Sequence, residues 1–110
     1  MTDKIVVLST CASTEEAGRI AHQLVQLRLA ACVSVLPAVR SIYRWNGAIE
    51  DAEEVLLVIK TSRPLFDELR AEITRLHSYQ TPEVLALPVV DAAAPYLAWL
   101  GHELRAAGEE

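Results

Sequence analysis

The chain has 110 residues, a length that suits one domain and not two. Its 10 Lys and Arg against 15 Asp and Glu leave a net charge of −5, so no overall electrostatic pull favours nucleic acid or an anionic membrane surface. With 52% hydrophobic and 23% charged residues the composition is globular, and no apolar run reaches the roughly 20 residues that span a bilayer.

The N-terminus, Met1-Thr2-Asp3-Lys4, lacks the pattern of a signal peptide, and the expected compartment is the cytoplasm. A single domain over residues 1–110 is expected, ordered from about residue 4 to 105, with a loose tail from Ala106 to Glu110. Lys4 to Ser9 carries the continuous apolar run Ile5-Val6-Val7-Leu8 and reads as a strand covered on both faces. Thr10 to Thr14 reads as a loop. Ser13 followed by Glu16 is a capping box that opens a helix. Ala17, Ile20, Ala21, Leu24 and Leu27 form its apolar face, with Glu16, Arg19, Gln23 and Gln26 opposite.

A second strand runs from Ala31 to about Trp45, with odd positions Val33, Val35, Val39, Tyr43 and Trp45 making a mostly apolar face. Pro37 cannot donate to a ladder and belongs on an edge or at a bulge. Asn46-Gly47 signals a tight hairpin turn, and the return strand spans about Ile49 to Thr61. Pro64 starts a second helix with the stripe Leu65, Leu69, Ile73 and Leu76. A fourth strand is expected over Glu83–Val90. A third helix opens at Asp91 to Pro95, with Leu97, Leu100 and Leu104 on one face. The order is β-α-β-β-α-β-α: an α+β, ferredoxin-like split βαβ unit with an extra C-terminal helix and a long central hairpin.

The hairpin itself predicts an oligomer. At roughly 3.3 Å per residue, arms of about 13 residues span about 43 Å, whereas outer strands of about 6–8 residues span about 20–26 Å. The tip must overhang its own domain, and it carries Val39, Ile42, Tyr43 and Trp45. Such residues need a covering surface, and a second copy supplies the simplest one.

Several segments resemble the CutA family of divalent-cation tolerance proteins. They are Arg28-Leu29-Ala30-Ala31-Cys32-Val33, the hairpin Ser41-Ile42-Tyr43-Arg44-Trp45-x-Gly47, and Glu54 with Lys60-Thr61. The loop His77-x-Tyr79-Gln80-Thr81-Pro82-Glu83 and the helix segment Tyr96-Leu97-x-Trp99 complete the match, in order and at compatible spacing. The resemblance implies a homotrimer whose hairpins pair between subunits, and a link to copper and other divalent metals. The chain departs from the family at Ser9, where a proposed metal cysteine stands, and at Ser78, which replaces a proline.

Topology sorts the polar residues into two ends. Cys11 and His77 share one end, where a thiolate and an imidazole suit copper or zinc, with Glu83 a candidate oxygen donor or partner of the histidine. The plain alternative is a solvent-facing loop cysteine beside a helix-terminal histidine. Cys32 lies about a strand length away, too far for a disulfide with Cys11, and fits a small buried residue. Lys60 follows an apolar run, where a buried lysine shifts its pKa or pairs with a carboxylate; Glu54 or Glu83 of this or another chain are candidates. Tyr43, Trp45, Tyr79 and Trp99 fit a cleft or interface between subunits. His22 and His102 read as solvated.

No catalytic motif and no phosphate loop are present, so a binding protein is expected, with metal ions and its own copies as partners. No organic cofactor, nucleic acid or membrane is expected. Three other classes compete: a signalling module of the PII type with a small ligand in the intersubunit cleft, an acid–base enzyme using Lys60, and a purely structural trimer.

Overall fold

The computed structural model describes residues 1–109. It contains β1 (Lys4–Cys11), α1 (Thr14–Gln26), β2 (Cys32–Trp45) and β3 (Ala48–Ser62). A single 3-10 turn over Arg63–Leu65 leads into α2 (Phe66–Leu76), followed by β4 (Leu85–Pro88) and α3 (Ala94–Glu103). The strands form one antiparallel sheet in the order β2-β3-β1-β4. This is the split βαβ arrangement expected from the element order.

The core lies between one sheet face and the two helices α1 and α2. Val7, Leu57 and Ile59 from the strands meet Ile20, Leu24, Leu69 and Ile73 from the helices, all fully buried. The cap of α1 is as expected: the Ser13 hydroxyl accepts the Glu16 N–H at 3.1 Å. The opposite sheet face is different. Val6, Leu8, Leu56 and Val58 are only half-buried there, and Leu36, Leu85 and Leu87 are exposed.

Four expectations are corrected. β1 runs two residues beyond Ser9, because Thr10 and Cys11 pair with Leu56 and Val55; Cys11 is therefore a fully buried strand residue and not a solvent-facing loop cysteine. β4 is much shorter than Glu83–Val90: it spans Leu85–Pro88, beyond which Val89 still donates its N–H to the Lys4 carbonyl at 3.0 Å. Of the α3 stripe only Leu100 is buried. The segment after Arg105 is tied down: Arg105 and the Gly108 N–H both bond the Glu68 carboxylate at 2.8 Å. Glu110 lies outside the described residues.

The hairpin overhangs as its length predicts. β1 pairs with β3 only from Val55 to Ser62, so the stretch Ala48–Glu54 is bonded to β2 alone. Asn46 and Gly47 form the turn with φ 49° and 80°, the left-handed pair that a two-residue hairpin needs. Pro37 sits both on an edge strand and at a bulge: Leu36 faces Leu56, but Val39 faces Glu54, so one extra residue is inserted, and Ala38 takes φ 62°.

That insertion overturns the single apolar odd face. Before the bulge Val33 and Val35 lie on the helix-covered side with Ile59 and Leu57. After it Val39, Tyr43 and Trp45 lie with Glu54, Glu50 and Ala48, on the open side. A shift of one residue changes the face of every side chain that follows.

Candidate functional site

The end of β1 meets the start of α1 and the loop after α2. There Cys11 Sγ, a Glu16 carboxylate oxygen and a His77 ring nitrogen all lie within 4.8 Å of one another. Glu16 is buried, against its expected place on the solvent side of α1. Its carboxylate accepts the Ala12 N–H at 3.3 Å and the Ser78 N–H at 2.7 Å. Burial alone would raise its pKa, but these donors and the nearby His77 hold it below the ordinary value. The capping-box spacing from Ser13 was the sequence signal that this carboxylate turns inward.

His77 is held on both nitrogens. Nε2–H donates to the Thr10 carbonyl at 2.7 Å, and Nδ1 accepts the Tyr79 N–H at 3.0 Å. Glu16 is 3.9 Å from Nδ1. Burial pushes the Cys11 thiol up to about 11, with Glu16 and Glu54 adding to the shift. Sulfur, carboxylate and imidazole together suit a borderline or soft cation. The imidazole and the carboxylate, however, already accept the N–H groups of Tyr79 and Ser78. A cation here must displace the Tyr79 N–H from Nδ1 and release the thiol proton.

Beside this cluster, on the open sheet face, Tyr43, Trp45, Glu54, Tyr79 and Glu83 line one cavity of about 600 Å³. The Tyr79 hydroxyl donates to Glu54 Oε2 at 2.7 Å, and burial followed by that bond raises the phenol pKa. The His77 and Tyr79 rings are 4.7 Å apart, so one loop serves both the cluster and the cavity.

The other expected site residues separate. Glu83 is exposed on the cavity wall, and the carboxylate beside His77 is Glu16 instead. Lys60 has no carboxylate partner among the described residues; its Nζ donates to Ser34 Oγ at 2.8 Å and to the Val58 carbonyl at 3.4 Å. Glu54 is six residues up the same strand, about 20 Å away at roughly 3.3 Å per residue. Cys32 lies opposite Lys60 in the register, half-buried and unbridged. Trp99 packs on Tyr96 in α3, ring centroids 5.5 Å apart, and does not reach the cavity.

The family model for the CutA1 divalent ion tolerance protein matches residues 5–103. The chain belongs to the CutA1 family. A Thermus thermophilus divalent-cation tolerance protein CutA is 45% identical over 95 residues, covering 86% of this chain and 92% of that one. A Pectobacterium atrosepticum protein of the same name is 40% identical over 105 residues, covering 96% of each. The solved CutA of Xylella fastidiosa superposes with a TM-score of 0.92 at 38% identity, over 94% of this chain and 100% of that one. The CutA resemblance of the hairpin and the His77 loop thus extends to the whole α+β fold, with its four-stranded antiparallel sheet and three helices.

Proposed function

We propose that this CutA1-family chain acts in divalent-cation tolerance as a non-catalytic homotrimer that captures a soft or borderline cation, copper or zinc, at Cys11, Glu16 and His77. The convergence of three chemically different donors within 4.8 Å carries the reading. Capture is exchangeable, because the ion competes with the hydrogen bonds that hold the loop. Assembly is supported by the open face of Leu36, Leu85 and Leu87 and by the overhanging Ile42, Trp45 and Ile49, too much apolar surface for a free monomer.

Native mass spectra of the reduced protein with and without stoichiometric copper test both parts. The expected species is a trimer with a defined number of ions, and Cys11→Ser reduces uptake. Unchanged affinity in Cys11→Ser removes that residue from the site. Trp45→Glu weakens assembly; a variant still fully trimeric at submicromolar concentration sinks the overhang argument.

The cavity favours a second reading, a PII-like module that holds a small ligand between subunits. Its roughly 600 Å³ falls within the range of small-molecule sites. A ligand that raises Tm where copper does not favours this reading over metal capture.

A further inference from the structure

We propose that the cavity on the open face binds a small organic cation of the alkylammonium type, held by Glu54 and by the rings of Tyr43, Trp45 and Tyr79. This inference rests on the second reading above, that the cavity holds a ligand.

The sign of the lining comes first. Glu54 and Glu83 both face the cavity, and among the described residues no lysine, arginine or histidine lines it. A phosphate or carboxylate ligand would enter against two negative groups with no countercharge. Glu54 is the stronger determinant. It is only 6% exposed, and no basic side chain pairs with it among the described residues. One oxygen is bonded to the Tyr79 hydroxyl and the other has no protein donor among the described residues. A buried carboxylate without a cation nearby is unfavourable, and a bound cation relieves it.

The rings decide which kind of cation. Aromatic faces attract a weakly hydrated, bulky positive group. A hydrated magnesium or calcium ion wants six or more oxygens, which ring faces do not supply. The placement of Tyr43 and Trp45 is not incidental to the strand, since only the extra residue at Pro37–Ala38 turns them to the side of Glu54. Ile42 borders the cavity as well, but without the extra residue Arg44 would take the side of Glu54 in place of Tyr43 and Trp45.

The test uses the assembled protein carrying Trp99→Phe, so that Trp45 is its only tryptophan. Choline is titrated against Trp45 fluorescence beside its neutral isostere 3,3-dimethylbutan-1-ol, ATP and magnesium chloride. Choline is expected to saturate the signal about tenfold more tightly than the isostere, with no response to magnesium. Glu54→Gln is expected to weaken choline binding by about tenfold, and the exposed Glu83→Gln by less, with the trimer intact in both.

Equal binding of choline and its isostere overturns the proposal, as does choline binding that survives Glu54→Gln. Saturation by ATP alone overturns the cation and leaves the ligand-site reading standing. No response to any probe removes both. A lysine or arginine of a neighbouring copy found seated on Glu54 also overturns it, because the countercharge is then internal.

Discussion

The two halves of the β2–β3 hairpin are made from the same pair of strands and live in different surroundings. In the lower half Leu57 and Ile59 are fully buried against the helices. In the upper half Ile42 is 62% exposed, Trp45 55% and Ile49 68%. Both halves carry large apolar side chains, and the strands pair on either side of the Pro37–Ala38 bulge. The difference is what stands beside them: β1 ends at Cys11, opposite Val55, and from there β3 has a neighbour on one side only. Strand formation follows from the local pattern, whereas burial depends on what is present to cover it.

Cutting into the lower half gives the largest effect. Leu57→Ala removes a fully buried side chain from the centre of the sheet and is expected to lower stability by about 2–5 kcal/mol, read by urea unfolding at fixed protomer concentration. The matched truncation Ile49→Ala at the tip is expected to change the stability of the chain by less than about 0.5 kcal/mol. Comparable losses would mean that the tip folds back onto its own domain, and the contrast between the halves would collapse.

Glu16 tests the junction between the halves and the helical layer. Its carboxylate is held below the ordinary value of 4.5 by the Ser78 and Ala12 N–H groups and by His77, against the upward push of burial. A depressed pKa contributes stability above the ordinary glutamate range, and that contribution is lost as pH falls through the folded-state value. Tm is therefore expected to fall with acidification below about 4.5, and Glu16→Gln is expected to flatten that part of the profile. An unchanged acid slope would place the titrating group elsewhere.

Tyr79→Phe is a smaller perturbation. It removes the hydroxyl that bonds Glu54 and is expected to cost about 1 kcal/mol, while the ring stays over His77. A loss as large as that of Leu57→Ala would show that the loop, and not the sheet, holds this end together.

The sequence carried the turn at Asn46-Gly47, the anomaly at Pro37, the cap at Ser13 and the overhang, because each rests on a local rule or a count of residues. It also brought Cys11 and His77 to one end, since topology alone places them there. Helical periodicity turns Glu16 outward, because it assigns faces without the Ser78 N–H that arrives from 62 positions away. Within one chain, hydroxyl and carbonyl oxygens serve Lys60, and neither Glu54 nor Glu83 of the same chain reaches it. The phase change after Leu36 was invisible as well. Proline announces an irregularity, but whether one residue or two are inserted depends on the partner strand, and that count decides where Tyr43 and Trp45 point.

The smallest expected effect is at the tip itself. Arg40 forms a forked ion pair with Asp51, at 2.9 and 2.5 Å, across the overhanging strands. Both residues are exposed, so water and salt screen them and the geometry holds two long side chains at an entropic cost. Arg40→Ala is expected to leave Tm within error and amide exchange over residues 40–52 unchanged at high protein concentration. If the pair were what orders the projecting strands, those amides would lose protection while the lower half kept its own. If neighbouring copies order them, protection is instead lost on dilution below the assembly constant, in the wild type and in Arg40→Ala alike. Such a result would locate the order of the upper half in contacts between chains, and that of the lower half in the core of one.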